Sequence, residues 1–205
     1  MNIISFEGIE GSGKSSLIKN LKNYYKNHAL DVFFTKEPGG TELGEKIREI
    51  LLDPTSEIDP SSELLLLMAD RVHHVKNKIN PNLNENKIVF CDRYIDSTIA
   101  YQGGGRDLDD KDIEGMIKML KLPIPDLTIL LDVPVETGLK RAKERSELDR
   151  FEKEDIDFHK KIRQSYLNLQ KKYPDRIIIF NASINENDVF EEVLNYIKSK
   201  IDDRD

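Results

Sequence analysis

The residues best equipped for chemistry lie near the start of the chain. Gly8-Ile9-Glu10-Gly11-Ser12-Gly13-Lys14-Ser15 fits G-x-x-x-x-G-K-[ST] at every fixed position. Glycines let such a loop turn tightly and aim its N–H groups at phosphate oxygens. A helix opening at Lys14 adds the positive end of its dipole. Lys14 can reach β- and γ-phosphates, and the Ser15 hydroxyl can sit on Mg²⁺. The spacing predicts a nucleoside triphosphate on the cradle from Gly8 to Ser15, against the plainer alternative of a glycine-rich turn. The loop alone does not separate kinases from other triphosphate-binding proteins.

Asp92-Arg93 is the next chemical pair, directly after the apolar run Ile88–Cys91. Asp92 can bind Mg²⁺, directly or through water, as the second acidic residue of P-loop enzymes does. Asp132, at the end of another apolar run, is the competing candidate. Arg93 can hold a phosphate with its planar fork and align it for attack. Lys14, Arg48, Arg71, Arg93, Arg145 and Arg150 would together offset two polyanions. Each of these arginines taken alone reads rather as a solvated surface charge, and the place of Arg93 at a strand end shifts that reading.

These residues need elements to bring them together. Ile3–Phe6, Val32–Thr35, Lys87–Cys91, Leu127–Leu131 and Arg176–Phe180 read as strands. They are apolar throughout rather than alternating, which indicates a sheet buried on both faces. Helical periodicity separates them: Lys14–Lys26, a helix capped by Thr41 and ended at Asp53-Pro54, one from Ser61 or Ser62 to about Ile79 stopped by Pro81, and Val189–Ile201. The pattern predicts an α/β three-layer P-loop fold, a five-stranded parallel sheet flanked by helices. In such a sheet the carboxyl ends of the strands converge on one crevice. The charged stretch from Arg141 to Glu154 reads as an insertion at the ligand edge.

Composition narrows the classes. The 205 residues suit a single domain, 1–205, and 38% hydrophobic residues suffice for a core. A net charge of −7 makes duplex nucleic acid a poor partner. No apolar run approaches the length of a membrane span, and Met1–Phe6 does not begin like a signal peptide. The single Cys91 lies in a strand and reads as a buried thiol, so a cytoplasmic location is expected. No guanine-reading Asn-Lys-x-Asp segment is present, and the four histidines form no ligand set.

Further segments name a family. Glu37-Pro38-Gly39-Gly40-Thr41, Asp92-Arg93-Tyr94 and Ala100-Tyr101-Gln102-Gly103-Gly104-Gly105-Arg106 occur in this order, followed by Pro125–Asp132 and Glu147–Glu152. In these motifs the chain resembles the bacterial thymidylate kinases, P-loop nucleoside monophosphate kinases, over nearly its whole length. The resemblance implies phosphoryl transfer from ATP·Mg²⁺ to dTMP, a homodimer, and a lid over about residues 141–153. It implies an acceptor site of Glu10, Pro38, Arg48, Leu67, Arg71, Arg93, Ser97, Tyr101 and Gln102. Arg71 would bond a carbonyl of the base, Ser97 and Gln102 would read the base edge, and Tyr101 would disfavour a 2′-hydroxyl. Leu67 stands where the family usually has Phe stacked on the base. Glu10 would face the acceptor's 3′-hydroxyl or its metal–water network. Asn181-Ala182-Ser183 would help form the adenine pocket. None of Ile9, Glu10, Gly11 and Ser12 is an arginine, so the resemblance assigns the transferring charge to the lid, to Arg145 first and Arg150 second. The catalytic set it implies is Lys14, Asp92, Arg93, Arg145 and Arg150. A kinase of a different nucleoside monophosphate and a nucleotide-binding regulator without turnover remain as rival readings.

Overall fold

The computed structural model describes residues 2–26, 28, 30–145 and 148–202, without the side chains of Arg145 and Asp202. Five parallel strands form one sheet: β1 (Ile3–Glu7), β2 (Val32–Lys36), β3 (Ile88–Asp92), β4 (Leu127–Asp132) and β5 (Ile177–Asn181). Their order is β2-β3-β1-β4-β5, so β1 pairs with β3 on one side and β4 on the other. The chain leaves the central strand at this reversal of order, where a crevice opens beyond the strand ends. Phe6 stands in register with both Asp92 and Ile129, so the loop after β1 and the pair Asp92-Arg93 emerge side by side.

Helices α1 (Lys14–Tyr25), α2 (Glu42–Leu52), α3 (Pro60–His74), α4 (Asn80–Asn84), α5 (Ile95–Thr98), α6 (Asp110–Met119), α7 (Val135–Arg145), α8 (Ile156–Lys172) and α9 (Glu186–Asp202) surround the sheet. Their starts follow capping chemistry. Thr41 Oγ1 accepts the Gly44 N–H at 3.0 Å, as the sequence predicts. Asp59 accepts from the N–H groups of Ser61 and Ser62, with Pro60 in the first turn. α1, like the short α4 and α5, starts without such a cap. The N-cap of α1 is Gly13, at φ 92°. A left-handed glycine here keeps the first N–H groups of α1 free of competing caps.

One expected boundary is corrected. The helix from α3 does not stop before Pro81. It runs through a π-helical stretch, Val75–Ile79, into α4. There the Asn80 N–H reaches back to the Val75 carbonyl. The wider π turn reshapes the ladder just before Pro81, which is accommodated in the first turn of α4. Residues 95–105 form a second helical segment, with α5 continuing into a π-helical Ile99–Gly105. The core packs Ile4, Phe6, Phe90, Ile129 and Leu130 of the sheet against Leu21, Ile79, Ile113 and Ile162 of the helices.

Candidate active site

A cavity of about 510 Å³ lies over the strand ends. On the β2–β3 side it is lined by Pro38, Arg48, Leu67, Arg71, Arg93, Ser97, Tyr101 and Gln102. Glu10, Gly11, Ser12, Gly13, Lys14, Ser15 and Asp92 line it too, and Arg141, Ala182 and Val189 close the β4–β5 side. Residues spread over nearly the whole chain are thus gathered around one loop.

Lys14 is folded onto that loop. Its Nζ donates to the carbonyls of Gly8 at 2.9 Å and Ile9 at 3.1 Å, and to Ser12 Oγ at 3.3 Å. Burial, and then the charge of Arg93, lower its pKa to about 8, against the opposing pull of Asp92, Glu10 and Glu7. An incoming polyphosphate would relieve that repulsion.

Arg93 sits at φ 64°, an uncommon backbone state for a side-chain-bearing residue, fixed by its N–H bond to the Phe6 carbonyl. Nη1 donates to the Gly8 carbonyl at 3.1 Å and Ser97 Oγ at 3.2 Å, and Nη2 to Glu10 Oε1 at 3.0 Å. The guanidinium lies 4.8 Å from the Tyr101 ring centre, and the Tyr101 hydroxyl donates to Glu10. Burial would raise the Glu10 pKa, but His159, Arg93, Lys14 and Tyr101 together hold it at about 2. Glu10 is therefore an anionic post that fixes the Arg93 fork and the Tyr101 ring.

Asp92 and Asp132 are separated by their surroundings. Asp132 is engaged on both oxygens by Arg163, at 2.7 and 2.8 Å, and does not line the cavity. Asp92 lines it beside Ser15, and its carboxylate makes no hydrogen bond or ion pair among the described residues. A hydroxyl and a free carboxylate are hard oxygen donors that fit Mg²⁺.

Arg71 is 2% exposed and held on three sides. It donates to Glu37 Oε2 at 2.6 Å, Thr98 Oγ1 at 2.7 Å and the Tyr94 carbonyl at 3.0 Å. Glu37 in turn bonds His74 Nδ1 at 2.7 Å, and His74 Nε2 bonds Thr35 Oγ1 at 2.6 Å. The Cys91 thiol lies near this group, and burial pushes its pKa up, which fits the inert strand thiol expected from sequence. Gln102 donates its amide to Glu63 Oε1 at 2.8 Å, and its own carbonyl oxygen is buried without a protein partner. Arg48 is set by a bond to the Pro38 carbonyl at 3.0 Å.

Some expected residues are placed differently. Ser97 borders the cavity, but its hydroxyl donates to Glu7 at 2.5 Å and lies 2.8 Å from the Tyr166 hydroxyl, rather than being free to read a base. Arg150 does not line the cavity. It bonds Glu63 Oε2 at 2.6 Å and the Leu51 carbonyl at 2.7 Å, which ties the segment after α7 to α2 and α3. The Arg145 side chain lies outside the described residues. Arg141, in α7, donates to the Ala182 carbonyl at 2.9 Å, which ties α7 to the segment after β5.

Sequence reading gives no site role to Glu7, Glu63, His159 and Tyr166. Glu7 ends β1 fully buried, accepting from the Tyr94 N–H, Ser97 and Tyr166. The one signal is an acid joined to an apolar run just before a glycine. Burial, then the charge of Asp96, raise its pKa to about 7. The folded state therefore holds this proton more tightly than the unfolded chain. That contribution to stability is full below pH 4.5 and fades as pH rises from 4.5 to about 7. Glu7→Gln should be more thermostable than the parent at pH 8, with the advantage shrinking towards pH 4.5. Melting temperatures across pH read this directly, and parallel curves would refute it.

The fold and site define a P-loop phosphotransferase with an acceptor pocket beside its phosphate loop. The family model described as thymidylate kinase matches residues 6–193. A thymidylate kinase of Carboxydothermus hydrogenoformans is 41% identical over 196 residues, covering 95% of this chain and 96% of that one. One from Protochlamydia amoebophila is 40% identical, covering 98% and 93%. The crystal structure of thymidylate kinase from Ehrlichia chaffeensis superposes with a TM-score of 0.80 at 34% identity, covering 96% and 98%. The chain belongs to the thymidylate kinase family.

Proposed function

We propose that this chain transfers the γ-phosphoryl group of ATP to dTMP, giving dTDP and ADP. One observation carries the reading: the phosphate loop, the Arg93 fork and the Arg71–Gln102 pair share one cavity. An acceptor phosphate oxygen forms the new bond to the γ-phosphorus as the bond to the ADP oxygen breaks. Arg93 orients that acceptor phosphate. Lys14 and the uncapped start of α1 meet the donor's charge. Ser15 and Asp92 would hold Mg²⁺, which neutralises donor phosphate charge when bound.

Base choice follows from donors and acceptors. Arg71 has N–H groups beyond the three already engaged, and Gln102 has a free carbonyl oxygen. A donor beside an acceptor complements a carbonyl next to an imide N–H, as in thymine. Cytosine presents the reverse pattern. Leu67 covers a base face without an aromatic stack. We read the chain as one domain with a lid over about 141–153, in which Arg145 meets the transferring charge.

We also assign a homodimer to the α2–α3 face, where Leu43, Ile50, Leu65 and Val72 are exposed at 44%, 49%, 59% and 38%. Sedimentation distinguishes one protomer from two. Among the described residues no helix is long and apolar enough to cross a membrane. The unpaired Cys91 suits a reducing compartment such as the cytoplasm.

ADP release with ATP and a panel of monophosphates tests the activity. Selective turnover of dTMP supports it, another preferred acceptor replaces it, and binding without turnover makes the protein a regulator. Tyr101→Ala should narrow the kcat/KM gap between dTMP and its ribose counterpart by about tenfold. An unchanged ratio would make Tyr101 a packing residue only.

A further inference from the structure

Glu63 has no place in the phosphate machinery, yet it is fully buried at the start of α3. Burying a carboxylate is costly unless strong donors surround it. Here they do. Oε1 accepts from Gln102 Nε2 at 2.8 Å and Arg106 Nε at 3.3 Å. Oε2 lies 2.6 Å from Arg150 Nη2 and 3.2 Å from Arg106 Nη2. Guanidinium groups only donate, so both oxygens are fixed as acceptors.

The consequence falls on Gln102. An amide has one donor end and one acceptor end. Glu63 can only take the donor end, so the carbonyl oxygen must turn the other way, where no protein group meets it. We propose that Glu63 is a positioning residue that locks the amide of Gln102 carbonyl-outward and thereby selects an acceptor base with an imide N–H over one with a ring-nitrogen acceptor. The inference rests on the dTMP-kinase reading for the identity of the ligand, but the orientation of Gln102 stands apart from it. Arg106 and Arg150 are the pins that keep both oxygens of Glu63 engaged. Arg106 is itself anchored by Glu154 at 2.6 Å and lies over the Phe158 ring.

Replacing Glu63 with its amide tests the lock. In Glu63→Gln the new NH₂ group can donate to the Gln102 carbonyl, so Gln102 is free to flip. The ratio of kcat/KM for dTMP to that for dCMP should fall about tenfold or more. The double variant Glu63→Gln/Gln102→Glu should restore it. There the amide introduced on α3 donates to the carboxylate introduced opposite it, which again leaves an acceptor oxygen on the cavity side. A purely structural role would lower both substrates equally and would not give this rescue. A folded Glu63→Gln protein with the parental ratio overturns the proposal, as does failure of the folded double variant to recover preference.

Side-chain amide NMR of the unsubstituted protein needs no buried change. The Gln102 NH₂ should be protected from solvent exchange, with and without dTMP. Rapid exchange in the free protein overturns the lock. Absence of dTMP turnover in the unsubstituted protein would instead overturn the activity, while the amide measurement would still report the orientation.

Discussion

Lys14→Ala is expected to lower kcat by about 10²–10³-fold, the usual scale for losing one preorganised charge at a reacting group. The lysine lies at the base of the cavity with three contacts to its own loop. Those contacts hold it where phosphates would arrive. The same burial gives a second, independent readout. The pKa of Lys14 falls from 10.5 to about 8, so the folded protein resists its charge. Below pH 8 the folded state bears that cost in full. Between pH 8 and 10.5 the folded lysine is neutral while the unfolded one is still charged, and the cost is relieved as pH rises. Lys14→Met should therefore show its most favourable melting temperature relative to the parent at pH 7. That advantage should decline through the same window. Loss of activity with this pH signature separates a functional lysine from a structural one. A folded variant with parental kcat would remove the phosphate loop from the mechanism.

This tension between site and stability also marks what a sequence can disclose. The loop from Gly8 to Ser15 is local, so its fixed spacing suffices to reveal it. The strands are equally plain, because each is a short apolar run. The carboxylates behind the site are different. Glu7 meets Tyr166 across 159 positions, and Glu63 meets Arg150 across 87. Nothing at either position announces its partner, since a lone acid reads as a solvated charge until the fold buries it. Arg150 illustrates the same limit: its type and place suit a lid contact to phosphate, while the fold engages it with Glu63. Gly104 hides in another way. A glycine-rich run suggests a loop, yet it lies in the π-helical segment, where a Cβ would come within 2.5 Å of Ser165 on α8. Close packing of two helices selects glycine there.

Arg93→Ala should reduce kcat/KM for the acceptor by about a thousandfold, with kcat and KM both affected. Its guanidinium is already aligned by the Gly8 carbonyl, Glu10 and the Tyr101 ring. Little ordering is left to the moment of binding, which makes the fork effective for a phosphate. Arg93→Lys should recover less than about tenfold, because a compact ammonium cannot make the same planar contact. The backbone adds to this demand, since φ 64° at Arg93 directs the side chain across the end of β1. The Glu10 titration supplies a control that does not depend on turnover. With its pKa held at about 2, Glu10 contributes stability that is full above pH 4.5 and is lost as pH falls towards 2. Arg93→Met removes one of the charges behind that depression, so acid unfolding should begin at higher pH. If acid unfolding moves while acceptor kinetics do not, Arg93 serves only to neutralise Glu10. If neither moves, the interlocked set of Arg93, Glu10 and Tyr101 is not what orders this side of the cavity.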